Sequence, residues 1–147
     1  MRILLTGNNG YIGTVLTNEL LKKNYEVVGY DIDYFYDCNL EGIENKLAKH
    51  IRKDIRNITH EDLEDIDVVI HLAGLANDPL GEFDPKITEE INYQSTLKLA
   101  ELCKKKKIKR FIYASSQSMY GVSDSEEELD EDNSKKNPVT VYAKTKW

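Results

Sequence analysis

The sequence predicts an α/β protein built on a doubly wound parallel sheet with strand order 3-2-1-4-5. Three observations lead there. Short apolar runs alternate with helical patterns along the chain. The runs are apolar on both faces, as strands are when helices cover both sides of a parallel sheet. Right-handed crossovers between such strands then favour winding outward from the first strand in both directions.

The elements follow in order. Arg2-Ile-Leu-Leu-Thr6 reads as a buried strand, short, apolar and ended by Gly7. Residues 11–23 carry Ile12, Val15, Leu16, Leu20 and Leu21 at helical spacing. Glu26-Val-Val-Gly-Tyr-Asp31 is a second strand. Residues 32–49 are expected to be loop plus a short helix. Ile51-Arg52 is a brief third strand with Asp54 at its end, and Thr59-His-Glu-Asp-Leu caps and starts a short helix. Asp67-Val-Val-Ile-His71 is a strand with a fully apolar centre. Residues 85–104 form the longest helical pattern, through Ile87, Ile91, Leu97, Leu99, Ala100 and Leu102. Arg110-Phe-Ile-Tyr-Ala-Ser115 is the last clear strand, and a further helix begins near Tyr142.

Composition bounds the function. The 147 residues are the size of one ordinary domain, and a 40 % apolar content supplies one core. No run is long and apolar enough to cross a bilayer, so no membrane partner is expected. The N-terminus passes from one Arg into a strand pattern, without the apolar region and cleavage site of a signal peptide. Cys38 and Cys103 fit no metal or redox motif, which with the acidic composition reads as a reduced, cytoplasmic protein. His50, His60 and His71 share no ligand spacing, so no metal is expected. The net charge of −6 argues against nucleic acid. The basic run Lys104 to Lys107 follows a helical pattern ending near Cys103 and reads as a solvated helix end, where cations suit the carbonyl pole. The acidic run Asp124 to Asp132 (DSEEELDED) reads as a solvated, mobile loop.

The stretch TGNNGYIG, Thr6 to Gly13, joins the first strand to the first helix. In a doubly wound sheet, ligands sit at the carboxyl ends of the strands. Gly7 permits a tight turn there. Gly10 lets a pyrophosphate approach the backbone, and Gly13 lets the helix pack close to the sheet. The helix N-terminus offers N–H groups and a positive dipole end to the phosphates. Asp31, at the end of the next strand, is placed to accept from both ribose hydroxyls of an adenosine. A carboxylate there repels a 2′-phosphate, and no Arg follows immediately, so NAD is preferred over NADP. A Walker-type phosphate loop is excluded because no Gly-Lys-Ser/Thr occurs.

A second constellation is Tyr142-Ala-Lys-Thr-Lys146, with Tyr and Lys at i and i+4 on one helical face. A free phenol is a poor base at neutral pH, but a nearby ammonium and an oxidised nicotinamide both favour phenolate. Such a phenolate serves as a general base. Ser115-Ser116-Gln117-Ser118-Met119-Tyr120-Gly121 follows the last strand, and a hydroxyl there suits a substrate oxygen losing its proton. The order of these four features brings them to one edge of the sheet.

The residues TGNNGYIG, Asp31, KDIRN, HLAGLANDP, Asn92, ASSQSMYG and YAKTK together resemble the extended short-chain dehydrogenase/reductases, within the nucleotide-sugar epimerase/dehydratase group. The resemblance covers essentially the whole chain. It implies a Rossmann-like NAD-binding domain over residues 1–147 and hydride transfer on a nucleotide-sugar substrate. Gly7, Gly10 and Gly13 would form the phosphate loop, with Tyr11 and Ile12 approaching the pyrophosphate through their backbone. Asp31 would hold the adenosine ribose, and Asp54 and Ile55 would flank the adenine. Leu72, Ala73 and Gly74 would line the cofactor, and Asn92 would be the family's buried helix amide. Ser116, rather than Ser115, would be the catalytic Ser/Thr, Tyr142 the base, and Lys146 its partner and the holder of the nicotinamide ribose.

Two departures qualify that picture. Gln117 and Ser118 stand where the family's dehydratases carry an acidic pair, which lowers the 4,6-dehydratase reading and leaves epimerase or simple dehydrogenase chemistry. Members also run to about twice this length, so the resemblance implies that the substrate-binding second half is missing and that this piece alone is inactive or nearly so. A homodimer is expected through the helices near residues 85–104 and Tyr142. The alternatives are a non-catalytic NAD-binding module, against which the retained Ser116, Tyr142 and Lys146 count, and an α/β domain with a vestigial pocket.

Overall fold

The computed structural model describes residues 1–38, 47–76, 78–122 and 128–147. Their packing forms two compact units, residues 1–73 with 95–114, and residues 74–94 with 115–147.

The first unit holds the sheet. Its strands are β1 (Arg2–Thr6), β2 (Glu26–Asp31), β3 (Lys49–Arg52), β4 (Val68–His71) and β5 (Arg110–Tyr113). All pair in parallel, in the order β3-β2-β1-β4-β5. That is the predicted order. β1 is central and pairs on both sides, Leu5 opposite Gly29 of β2 and Ile70 of β4. Its apolar side chains are correspondingly sealed: Ile3, Leu4 and Leu5 are buried with Val27, Val28, Val69 and Leu99. The edge strands β3 and β5 are the exposed ones. β3 is longer than predicted, beginning at Lys49. β5 ends at Tyr113, before the serines.

Helix α1 (Tyr11–Lys22) returns the chain from β1 to β2. The expected short helix in residues 32–49 lies largely outside the described residues, although Tyr36–Cys38 forms a 3₁₀ turn. Thr59 does not cap a helix as expected. Instead the Asp62 carboxylate accepts from the Thr59 N–H (2.9 Å) and hydroxyl (3.2 Å), and a 3₁₀ turn spans Glu61–Leu63. The reversal has a simple cause: a carboxylate is the stronger acceptor for free N–H groups. Asp67 also closes the sheet's amino end, accepting from the Arg2 N–H at 2.8 Å.

The second unit contains α2 (Asp78–Phe83), α3 (Pro85–Thr88), a π-helical turn (Glu89–Gln94), a 3₁₀ turn (Gln117–Tyr120) and α5 (Val141–Lys146). Asp84 caps α3, accepting from the Ile87 N–H at 3.0 Å, and Pro85 occupies the first helical position, where its missing N–H costs nothing. Thr140 caps α5 through the Ala143 N–H at 3.1 Å. Helix α4 (Ser95–Lys106), in the first unit, runs past the predicted end at Cys103 and places Lys104, Lys105 and Lys106 in its last turn. Of the acidic run, residues 124–127 lie outside the described residues, whereas Asp130 organises a turn by accepting from the N–H groups of Asp132 (2.8 Å) and Asn133 (2.6 Å).

Candidate functional site

In the first unit the glycine loop leaves β1 and enters α1. Gly7 has φ +75°, and a Cβ there would stand 2.8 Å from the Ala73 nitrogen. Only glycine meets both demands. A Cβ on Gly13 would stand 1.9 Å from the Gly7 carbonyl oxygen, so the helix start lies directly against the loop. Gly10 is the N-cap of α1 and brings no side chain to cap it. The amino end of the helix therefore keeps its positive pole and its N–H groups available for an anion. Tyr11 and Ile12, in the first helical turn, are exposed.

Asp31 ends β2, and its carboxylate is tied to the loop. One oxygen accepts from the Asn9 N–H (3.0 Å) and the other from the Asp33 N–H (2.9 Å). Two bonds, one to each oxygen, fix the carboxylate while each oxygen keeps a lone pair for a hydroxyl. The loop closed to a Cβ at Gly7 and Gly13, the uncapped helix end and the fixed carboxylate fit a dinucleotide.

The other residues assigned to the cofactor take clear positions. Asp54 caps a 3₁₀ turn (Ile55–Asn57), accepting from the Arg56 N–H at 2.9 Å. Its other partner is the Arg56 guanidinium, 2.6 Å away, which holds the Asp54 carboxyl below the usual range. Ile55 is buried. Leu72 and Ala73 leave β4 bonded to Thr6, Leu72 N–H to its carbonyl (3.1 Å) and Ala73 N–H to its hydroxyl (3.2 Å).

His71, which sequence reasoning treated only as a non-ligand, anchors this turn. Its Nδ1 lies 2.6 Å from the Thr6 hydroxyl and its Nε2 lies 2.8 Å from the Thr96 hydroxyl. It is fully buried and stacks with Tyr113. Asn9 and Asp33 were also missed. The only signal for them was the Asp-x-Asp spacing at the end of β2 and the paired asparagines inside the glycine motif.

The second unit gathers Gly74, Asn92, Ser116, Tyr142 and Lys146. Asn92 is buried; its Oδ1 accepts from the Leu75 N–H (2.8 Å), and its Nδ2 donates to the Leu75 carbonyl (3.0 Å) and the Thr145 hydroxyl (3.3 Å). It is a clamp on the turn at Gly74–Leu75. A Cβ on Gly74 would meet Asn92 Oδ1 at 2.9 Å and would lie 3.7 Å from Lys146 Nζ. Lys146 is only 7 % exposed, and burial pushes its ammonium pKa down. Its Nζ lies 5.9 Å from the centre of the Tyr142 ring, as the i, i+4 spacing requires. Ser115 donates to the Lys146 carbonyl at 2.7 Å. Ser116 caps the 3₁₀ turn, accepting from the Ser118 N–H (3.2 Å) and donating to the Ser118 hydroxyl (3.0 Å).

Comparison with known proteins gives a consistent picture. The model of the NAD dependent epimerase/dehydratase family matches residues 3–147. The chain is 37 % identical to a UDP-glucose 4-epimerase from Klebsiella pneumoniae over 135 aligned positions, which cover 82 % of this chain and 93 % of that one. It is 32 % identical to an uncharacterized UDP-glucose epimerase, YtcB, of Bacillus subtilis over 159 aligned positions, covering 99 % of this chain and 48 % of the relative. Among solved structures, the Thermus thermophilus UDP-glucose 4-epimerase complex with NAD superposes with a TM-score of 0.81 at 28 % identity, covering 99 % of this chain and 47 % of that one. The chain thus spans about half the length of the Bacillus and Thermus proteins.

Proposed function

The chain belongs to the NAD-dependent epimerase/dehydratase family, and we propose that it binds NAD and serves hydride transfer on a nucleotide sugar, with Tyr142 as the base for the sugar hydroxyl. The observation that carries the reading is Lys146, a lysine buried to 7 % exposure one helical turn from a half-buried tyrosine. An ammonium loses solvation energy when buried, and such a placement is retained at functional sites.

NAD, when bound, supplies the acceptor that takes a hydride from the sugar carbon and can return it. The loop of Gly7, Gly10 and Gly13, with the N–H groups of Tyr11 and Ile12, would hold the pyrophosphate. Asp31 would hold the adenosine ribose. Asp54, Ile55, Leu72, Ala73 and Gly74 would line the remainder, with Asn92 keeping Gly74 in place through Leu75. Ser116 would hold the reacting hydroxyl while Tyr142 takes its proton. Lys146 would favour the phenolate electrostatically and hold the second ribose. The hydroxyl and amide at Ser118 and Gln117 offer no general acid for water elimination, and this favours epimerase over dehydratase chemistry. A UDP-hexose is the substrate class that the named relatives support.

Titration calorimetry with NAD⁺ and NADP⁺ tests the cofactor half. Saturable NAD⁺ binding with NADP⁺ at least about tenfold weaker is expected. A folded chain that binds neither overturns the reading. The proton-transfer role is read in the slow UDP-hexose turnover with NAD⁺ expected of a chain that spans about half the length of the Bacillus and Thermus relatives. Tyr142→Phe keeps NAD⁺ binding and slows turnover by at least about a hundredfold, whereas an undiminished rate removes Tyr142 from the chemistry.

A further inference from the structure

β3 carries a cation whose place near the ribose carboxylate shows only in the strand register. Arg52 stands register-opposite Asp31, as its partner on the neighbouring strand. An arginine at that position is a ready partner for a 2′-phosphate. Yet Arg52 does not stand alone. Its Nε lies 3.6 Å from the carboxylate of Asp33.

Asp33 is the fixed member of this pair. Its side chain is 11 % exposed, against 74 % for Arg52. It accepts from Asn9 Nδ2 at 2.6 Å and lies 3.0 Å from His50 Nε2. Asn9 is held in turn by Asn8, whose Nδ2 donates to Asn9 Oδ1 at 3.0 Å. Asp33 also adopts φ +66°, a conformation that a non-glycine residue keeps only where its surroundings demand it. Beside the pair lies a hollow of about 290 Å³ lined by Asp33, Tyr36, Asp37 and Arg52. Its charge is two carboxylates against one guanidinium.

We propose that Asp33 is a second specificity-determining carboxylate for the cofactor: held by the glycine loop through Asn9, it neutralises Arg52 and denies a 2′-phosphate its cation. The inference rests on the proposed NAD binding and adds to it. Asp31 repels the phosphate directly, and Asp33 removes the attraction that β3 would otherwise offer.

The test is calorimetry with NAD⁺ and NADP⁺ on the wild-type chain, Asp33→Asn, and Asp33→Asn combined with Arg52→Ala. Asparagine tolerates positive φ and its Oδ1 still accepts from Asn9, so the single variant should fold. Asp33→Gly, which also suits positive φ, gives the same direction should the amide variant fail to fold. NAD⁺ affinity should stay within about threefold, while the NADP⁺ dissociation constant falls about tenfold on loss of one nearby charge. Removing Arg52 from the Asp33→Asn chain should cancel that gain, and added salt should shrink it. Unchanged NADP⁺ affinity in Asp33→Asn, or a gain that survives loss of Arg52, overturns the inference and leaves NAD binding standing. A folded wild-type chain that binds neither dinucleotide overturns both.

Discussion

Gly10→Ala separates the loop's two tasks, holding itself and admitting a phosphate. Gly10 has φ −80° and ψ 176°, which alanine adopts freely. A Cβ there meets only the Gly7 oxygen, at 3.3 Å, which a shift of a few tenths of an ångström relieves. Alanine caps a helix less well than glycine, costing roughly 0.5–1 kcal/mol, and restricts the unfolded chain, returning about 0.4–1 kcal/mol. Stability should therefore change by less than about 1 kcal/mol in a urea melt. The methyl group, however, stands at the amino end of α1, where a pyrophosphate would approach. Losing one charge-assisted bond costs roughly 1.5–3 kcal/mol, or about 10- to 150-fold in the NAD⁺ dissociation constant. Gly13→Ala is the contrast: its Cβ would overlap the Gly7 oxygen at 1.9 Å, so folding and binding should fail together. Calorimetry and urea melts on both variants read the difference. A well-folded Gly10→Ala chain with wild-type affinity would refute the placement of the pyrophosphate on this loop.

Three further outcomes are expected. Burial lowers the Lys146 pKa from 10.5, so between the lowered value and 10.5 the unfolded chain holds more protons than the folded one. Stability should rise with pH through that window, with the cost of burial fully present below it, and Lys146→Met should abolish the rise in urea melts while also abolishing turnover. Ser115→Ala loses the bond to the Lys146 carbonyl and should cost about 1 kcal/mol of stability, read by thermal melting, whereas Ser116→Ala should depress turnover beyond any loss of stability. Cys38 is exposed, while Cys103 is buried with its thiol pushed up to about 11. Iodoacetamide on the native chain should thus give one adduct by mass spectrometry, at Cys38, and a second only after unfolding; a doubly labelled native chain would contradict the packing of α4.

The sheet was legible because its signal is local. Ile3 to Leu5, Val27 and Val28, and Val68 to Ile70 are apolar on both faces, and that alone implies burial between two layers. The glycine loop was legible for the same reason: its spacing is a steric requirement of a turn seven residues long. α2 was not. Asp78-Pro-Leu-Gly-Glu-Phe83 has no helical periodicity and contains both Pro and Gly. Its ends are held from far along the chain, Asp78 by the Thr140 hydroxyl (2.7 Å) and Glu82 by the Val141 N–H (2.8 Å). The π-helical turn at Glu89–Gln94 escaped because its residues keep a helical pattern and only the backbone register changes. Arg52 escaped because its relation to Asp31 is a matter of strand register, which no reading of neighbours in sequence supplies.

The central position of β1 also sets a timetable. β1 is made before the other four strands of the sheet, and its carboxyl end at Thr6 meets its partner His71 across 65 residues. At a synthesis rate of roughly 5–20 residues per second, that partner arrives some 3–13 s later. Once β2 has followed, and until β4 arrives, Ile3, Leu4 and Leu5 have β2 on one side and an open ladder on the other. An apolar strand with one free edge is a template for foreign strands. The pace of synthesis between β2 and β4 thus bears on how long this edge stays open to misassembly.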